Sequence, residues 1–465
     1  MIGSRQAIRH HRLLEQRRTA VLDDDPTGSQ SVHDVSLVTS HSESDYIAAL
    51  SSPGSTCFFL TNTRGMTIAN AIVENEAVGS MLFAIQTQLG APFDIVSRSD
   101  STLRGHVIDE VLALDATRRE GFGSGFDGVL FAPAYLEAGR FTEGDIHYAT
   151  VGGRAVPVGK SEFARDATFG YSSSNLREFI EEKSGGTISR SSVLSIGLDD
   201  IRGGGTDRVA AILESANGLQ FIVVNATTYD DLDTVVLGLQ LAQSRGKKFL
   251  HRSGPSFIQS LIGLEPRDPL VAADVWSAGQ SAGHGLVVIG SHVRQTARQM
   301  SIAEARGVAT PVEMSVASVI DHRTRDAQVE DVAAQVHDAL RRSNVMLYTS
   351  RALVTGADGA ASLDLSRIVS TALTDVVRRV LTARPAWVIA KGGITSHDVA
   401  VRGLGIRRAT VLGQLLPGRI SVLRIDSADE DVVGMPYVVF AGNVGGDEAL
   451  ADAIKLFGGS MLDND

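Results

Sequence analysis

The stretch VLDDDPTGSQ, residues 21–30, sets Asp23, Asp24, Asp25 and Thr27 directly behind an apolar run. Carboxylates crowded in this way serve phosphate chemistry of two kinds. Read as D-x-D-x-T, Asp23 attacks phosphorus and Asp25 handles the proton. Read as a base, one aspartate of the turn accepts the proton of a hydroxyl that attacks a phosphate donor. Neighbouring side chains of an extended strand point to opposite faces, so Asp24 and Asp25 are expected to differ in role, with Asp25 preferred as the base.

A second cluster, SRSDSTLRGH, carries Arg98, Asp100, Ser101, Thr102, Arg104 and Gly105 between an expected strand and an expected helix, and TNTRG adds Asn62 and Arg64 at an equivalent junction. Guanidinium groups pair with a carboxylate while Asp and Ser or Thr exchange hydrogen bonds with hydroxyls, so the cluster suits a small polyhydroxy acid. The plainer alternative is a capped helix whose arginines are solvated. His147 in GDIHYA and residues 160–171 either close over a substrate or tie down a long loop.

Glycines dominate the chemistry of the second half. AKGGITSHDVAV runs from a strand through Gly392 and Gly393 to Thr395 and Ser396, which are expected to cap a helix starting near His397. FAGNVGGDEAL repeats the format at Gly442, Asn443, Gly445 and Gly446, and VIGSHVRQ does so at Gly290 and Ser291. Bare glycines let phosphate oxygens approach backbone N–H groups, and several such junctions in one domain point to a polyphosphate. For any single junction the plainer reading, a glycine that ends a strand, is preferred. Two better-known phosphate motifs fail on context. Gly123, Gly125 and Gly128 precede a strand instead of following one, and VGGRAVPVGKS has Arg154 where a P-loop needs glycine.

These groups need a scaffold. Short apolar β-rich runs (TAVLDDD, STCFFLTNT, FDIVSRSD, DGVLFAP, LQFIVVNA, GLVVIGS, ATPVEM, PAWVIAKGG, PYVVFAGN) alternate with helical stretches, the pattern of α/β domains on largely parallel or mixed sheets flanked by helices. Ligands of such sheets gather at the carboxyl ends of strands. Prolines 255, 266 and 269 and the run SAGQSAGHG mark residues 255–285 as a linker, and residues 137–171 read as a long excursion with little strand–helix rhythm. The expected organisation is a basic, solvated arm at 1–18, a first domain at 19–254, the linker, and a second domain at 286–465.

A length of 465 residues allows about three domains, or two large α/β ones. The formal charge of −11 argues against nucleic acid as the main partner. Cys57 is the only cysteine, so neither an internal disulfide nor a thiolate metal cluster can form. No run approaches the ~18 apolar residues of a membrane helix, so no membrane partner is expected and the cytoplasm is the expected location. A homo-oligomer is left open.

In DDPTG, NTRG, SDSTLRGH, EFARDATFGY, VVNATTYDDL, FLHRSG, KGGITSHDVA and GNVGGDEAL, in this order, the chain resembles the four-carbon acid sugar kinases, which phosphorylate tetronates with ATP. The resemblance spans nearly the whole chain after the arm. It implies acid-sugar contacts at Asp24, Asp25, Thr27, Arg64, Asp100, Ser101 and Arg104. It implies an ATP site at Ser291, Gly392, Gly393, Ile394, Thr395 and Gly442, with Asn443 and Gly445 nearby. Lys391 and Mg²⁺ would join the glycine amides on the triphosphate, with no dedicated metal site, and catalysis is expected in the cleft between the domains. Pro26 stands where members commonly carry an aromatic, and RSDSTLRG has an added arginine, which marks a divergent subgroup and leaves the sugar open. One rival is a haloacid-dehalogenase-like phosphatase with Asp23 as nucleophile, helped by Asp199 and Asp200. Another is a sugar-acid sensor without turnover.

Overall fold

The computed structural model describes residues 3–276, 283–350, 359–416 and 419–458. The chain divides into two compact units, Met1–Pro266 and Arg267–Asp465.

The first unit carries β1 (Arg18–Asp23), β2 (Val35–Val38), β3 (Thr56–Leu60), β4 (Phe93–Arg98), β5 (Gly128–Ala132), β6 (Arg140–Glu143), β7 (Ile146–Val151), β8 (Arg154–Pro157), β9 (Leu194–Ile196), β10 (Gln220–Val224) and β11 (Phe249–Ser253). Its main sheet runs β2-β3-β1-β4-β11-β5-β10-β9, with every pairing parallel. Parallel strands covered by helices on both faces need apolar residues on both, which is why β1, β4 and β5 are buried at every position instead of alternating. Helix Ile68–Leu89 is the one described helix long and apolar enough to cross a membrane by length and composition. Here it carries Glu74 and Glu76, buries Val78, Leu82 and Ile85 in the core, and packs against helix Val107–Phe122. A Cβ on its Gly79 would come within 3.1 Å of Leu114, so the bare glycine sets this close helix contact.

Three expectations are corrected. The basic arm is docked, because its cations find carbonyls and carboxylates in place of water. Ser4–Leu14 is a helix whose Arg5 donates to Asp233 and to the Leu264 carbonyl, and whose Arg12 donates to the Ile262 carbonyl at 3.0 Å and to Thr19 at 2.8 Å. Those carbonyls close the C-terminus of a neighbouring helix, where positive charge is favoured. That helix, Pro255–Ile262, is the second correction: the expected linker includes it, yet every residue of it is buried. Its proline occupies the first helical turn, where no N–H is needed, so it starts a helix instead of breaking one. Of the remaining expected linker, residues 277–282 lie outside the described residues. Third, residues 137–171 hold a small antiparallel sheet, β6-β7-β8, closed by tight turns at Gly144 and at Gly152–Gly153.

The second unit carries β12 (Leu286–Ile289), β13 (Thr310–Met314), β14 (Val345–Thr349), β15 (Val388–Lys391), β16 (Ile406–Gln414), β17 (Ser421–Ala428) and β18 (Pro436–Phe440). The order is β13-β14-β12-β15-β18-β17-β16, parallel as far as β18 and antiparallel through β17 and β16. Trp387, Ile389, Val438 and Phe440 lie in its core. The architecture is α/β in both units, with a mixed sheet in the second.

Candidate functional site

In the first unit the chain leaves β1 toward β2 and β3 on one side and returns as β4 on the other, so the sheet order reverses at β1 and opens a crevice outside the carboxyl ends of β1 and β4. The aspartate turn follows β1, Arg64 follows β3, and the Asp100 loop follows β4. Backbone bonds hold these segments together: the Asp23 carbonyl accepts from the N–H groups of Thr61 and Asn62, and the Asp24 carbonyl accepts from that of Arg64.

The three aspartates have different surroundings. Asp23 is the last residue of β1 and is buried; its carboxylate accepts from Arg98 at 3.3 Å. A Cβ on Gly28 would lie 1.8 Å from Asp23 Oδ2, so the Gly28 backbone closes over that carboxylate. Burial pushes Asp23 up to about 7, against the pull of Arg98. Asp24 accepts from Arg64 Nη2 at 2.6 Å and Nε at 3.2 Å, while Asp25 accepts from Arg64 Nη1 at 3.0 Å and from the Thr27 N–H at 2.8 Å. Burial opposes the charge of Asp25, but Arg64 and Thr27 outweigh it and hold the carboxyl below its ordinary value. Side-chain exposure separates the candidates: 24% for Asp25 and 2% for Asp24. The expectation that Asp24 and Asp25 face opposite ways is corrected. The strand ends at Asp23 and the chain turns, so strand alternation no longer applies and one guanidinium grips both carboxylates.

Asp100 accepts from the Thr102 N–H at 3.2 Å, from the Thr102 hydroxyl, and from Arg104 Nε at 2.6 Å. Burial again works against its charge, and Arg64 and Arg104 hold the carboxyl well below the usual range. The loop is strained: Leu103 has φ +68° and Gly105 φ +127°. Residues of the excursion brace it from behind. Buried His147 bonds the Ser101 carbonyl through Nε2 at 2.8 Å, and Tyr171 donates to the Thr102 carbonyl at 2.6 Å. Burial lowers His147 to about 4, so the imidazole is a neutral strut and does not close over a substrate. Beneath the crevice, Glu110 accepts from Thr63 and Arg252, and Arg252 also donates to Ser97 at 2.5 Å; this buried pair ties β4, β11 and the Arg64 segment together.

The second unit reverses its order at β12, between β14 and β15, and its glycine junctions lie there. A Cβ on Gly442 would meet Ser291 Oγ at 2.5 Å, one on Gly290 would meet Thr395 Oγ1 at 2.4 Å, and one on Gly392 would lie 3.2 Å from both Ser291 Cβ and Thr395 Oγ1. The ends of β12, β15 and β18 thus converge on Ser291 and Thr395. Thr296 donates to the Gly442 carbonyl at 2.8 Å, and Gln299 donates to those of Val444 and Gly446, which holds the Gly442–Gly446 loop in place. Ile394 is 74% exposed beside this cradle, Asn443 is exposed too, and a Cβ on Gly393 would meet no protein atom within 4 Å. A cavity of about 200 Å³ adjoins it, lined by Gly290, Thr395, Val316, Ile320, Val369 and Leu373. Such a cradle fits a polyphosphate, and the cavity fits an apolar, flat group.

Two expectations about this unit are corrected. The helix after β15 starts at Gly393, not near His397, because Gly392 at φ +118° makes the turn alone. Lys391 is fully buried, with Nζ 3.7 Å from the Phe440 ring centroid and 3.3 Å from the Ala441 carbonyl, and burial lowers it to about 7. Its Nζ bonds the backbone carbonyl that precedes Gly442 and is buried there instead of standing open to solvent. Sequence reasoning missed Arg140 and Phe163 beside the Asp100 loop and the apolar cavity. Apolar spacing in the two helices that carry Val316 and Val369 is a signal for the cavity. The phosphatase reading loses its nucleophile, since Asp23 lies under Gly28, and Asp200 serves Arg208 and the cap of its own short helix.

Residues 19–261 match the family model of a sugar-binding N-terminal domain, and residues 286–450 match that of a nucleotide-binding C-terminal domain. A 3-oxo-isoapionate kinase of Paraburkholderia graminis is 31% identical over 194 residues, 39% of this chain and 39% of that protein. A D-threonate kinase of Salmonella typhimurium is 26% identical over 377 residues, 77% of this chain and 79% of that protein. Among solved structures, a Salmonella typhimurium LT2 chain whose description names a tRNA synthase superposes with a TM-score of 0.69 at 16% identity, over 95% of this chain and 100% of that one. Haemophilus influenzae protein HI1011 does so with a TM-score of 0.63 at 15% identity, over 94% and 99%. At such identities these structures show a shared fold and no more. The matched domains follow one another in the order that the short motifs implied, and the chain belongs to the four-carbon acid sugar kinase family, a family of phosphotransferases.

Proposed function

We propose that the protein transfers the γ-phosphate of ATP to a hydroxyl of a small acid sugar of the tetronate type, in the cytoplasm. The observation that carries this reading is the cradle in the second unit, where neighbouring parallel strands end in glycines too close to Ser291 and Thr395 to bear a side chain. Ser291, Gly392, Gly393, Ile394, Thr395, Gly442, Asn443 and Gly445 would surround the nucleotide, with its base in the adjoining apolar cavity. Among the described residues no cluster of three or more His, Cys, Asp or Glu could hold a metal by itself. Mg²⁺ would therefore be carried mainly by the phosphates, whose charge it neutralises.

In the first unit Asp25 accepts the proton of the attacking hydroxyl. It is the carboxylate of the turn that solvent reaches, and Arg64 and Thr27 fix its direction. A carboxylate held below its ordinary value is a weak base, so its contribution is orientation of the hydroxyl and late acceptance of the proton. Asp24 holds Arg64 in place. Asp100 and Ser101 bond sugar hydroxyls, and Arg104 pairs with the carboxylate.

The D-threonate and 3-oxo-isoapionate kinases support this class of acceptor. The test is ATP consumption with a panel of four- to six-carbon aldonates, with and without Mg²⁺. Turnover confined to one or a few aldonates is expected. An enzyme that instead releases phosphate from phosphorylated acids, or binds aldonates and never consumes ATP, would sink the proposal.

A further inference from the structure

We propose that Arg140, which the short motifs do not single out, forms with Arg104 the clamp that receives the substrate's carboxylate. The inference rests on the acid-sugar reading above and names the group that selects an acid over a neutral sugar.

Arg140 opens β6 and reaches the Asp100 loop across the sequence. Its Nη1 donates to the Ser101 hydroxyl at 2.7 Å, and its guanidinium carbon lies 5.4 Å from the centroid of the Phe163 ring. The guanidinium carbon of Arg104 lies 5.6 Å from the centroid of the same ring. Two cations are thus gathered at one aromatic ring. The charge of Arg104 works against that of Arg140, and an anion between them would relieve the repulsion. Arg104 has Asp100 and, at 3.7 Å, Asp166. Arg140 has no carboxylate partner among the described residues: Asp100, whose charge reaches it, is already bonded to Arg104 and Thr102. Arg98 and Arg64, the other arginines of the crevice, are taken by Asp23, Asp24 and Asp25. Arg140 is therefore a half-buried cation whose guanidinium, among the described residues, donates to a neutral hydroxyl and to no carboxylate, and burial weakens its hold on its proton.

The position is built. Gly139 turns at φ +65°, and a Cβ there would strike Thr150 Oγ1 at 2.2 Å. Paired backbone bonds between Tyr135 and Arg140, each 2.9 Å, close that turn and hold the arginine in place. A planar carboxylate suits two guanidinium groups, and the Ser101 hydroxyl and Asp100 beside it suit the hydroxyl on the next carbon.

The test titrates wild type, Arg140→Lys and Arg140→Met by calorimetry with threonate, with threitol, which lacks the carboxylate, and with ATP. We expect Arg140→Met to weaken threonate by about tenfold or more, the effect of losing a charge-assisted pair, with Arg140→Lys in between because it keeps the charge and loses the fork. Affinity for ATP and for threitol should not change. Unchanged threonate affinity in Arg140→Met overturns the clamp. So does an equal loss for threitol, which would assign Arg140 to the hydroxyls, or a parallel loss of ATP affinity in both variants, which would make it structural. If wild type ignores threonate, erythronate and the five- and six-carbon aldonates are titrated in the same way, and binding by none overturns the clamp and the acid-sugar reading together. An Arg140-dependent affinity without ATP turnover would leave the clamp standing and sink only the kinase.

Discussion

Both units place their candidate site where parallel strands reverse their order, and they furnish it in opposite ways. The crevice after β1 and β4 is crowded with charged side chains that hold one another: Arg64 grips Asp24 and Asp25, Arg98 grips Asp23, and Arg104 grips Asp100. The crevice after β12 and β15 is made of absent side chains, with Gly290, Gly392 and Gly442 packed against Ser291 and Thr395. An acid sugar is recognised group by group, so each polar atom needs a partner of the right type and direction. A polyphosphate presents repeated oxygens that backbone N–H groups can meet wherever the chain comes close enough. The two crevices should therefore break in different ways: the first when a side chain changes its chemistry, the second when one gains atoms.

The largest effect is expected at the aspartate turn. Asp25→Asn should lower kcat by about 10²–10⁴-fold while ATP binding survives, and Asp23→Asn should leave a folded enzyme active. Steady-state rates and ATP titration of the two variants check this; a dead Asp23→Asn with a phosphoenzyme trapped on Asp23 would restore the phosphatase. Next comes the cradle. Gly442→Val should weaken ATP by roughly tenfold or more, since its Cβ would overlap Ser291, and leave acid-sugar affinity intact. Gly393→Ala sharpens the point, because the new methyl meets no protein atom. Stability should be unchanged, so a loss of ATP affinity measured by calorimetry would come from the ligand alone. An unchanged affinity would remove Gly393 from the site.

A smaller effect is expected from Arg104→Lys, which keeps the charge and loses the fork. KM for the acid sugar should rise about tenfold with KM for ATP unchanged, and an equal change in both would assign the loop to structure. The smallest effect concerns stability. Burial raises Asp23 to about 7 in the folded chain, above the 3.8 of an ordinary aspartate. The folded protein then binds this proton more tightly than the unfolded one, so the stability it contributes is full below about pH 4 and is lost as pH rises through 7. Asp23→Asn should flatten that fall, as read from denaturant midpoints across the range.

The parts of this protein that its sequence declares are the local ones. Apolar runs such as AVLD and VVIG announce buried parallel strands, since a strand covered on both faces must be apolar on both. The glycine junctions are legible for a similar reason: what a backbone needs in order to turn or to approach a phosphate is written at the position itself. Long-range partnership was not legible. Asp24 and Asp25 share one guanidinium because the chain bends after β1, and Lys391 lies on Phe440 because the pairing of β15 with β18 sets the two residues side by side. Arg140 reaches the Asp100 loop because a small antiparallel sheet folds back upon it, Phe163 because the helical turn after that sheet does, and Arg5 and Arg12 are structural because a helix end offers them carbonyls. Composition and spacing determined which elements form and what kinds of group stand at their ends. Which charges neutralise one another, and which are left for a ligand, was decided by tertiary structure, because Coulomb and hydrogen-bond energies depend on distances across the fold and a side chain's type does not specify its neighbour.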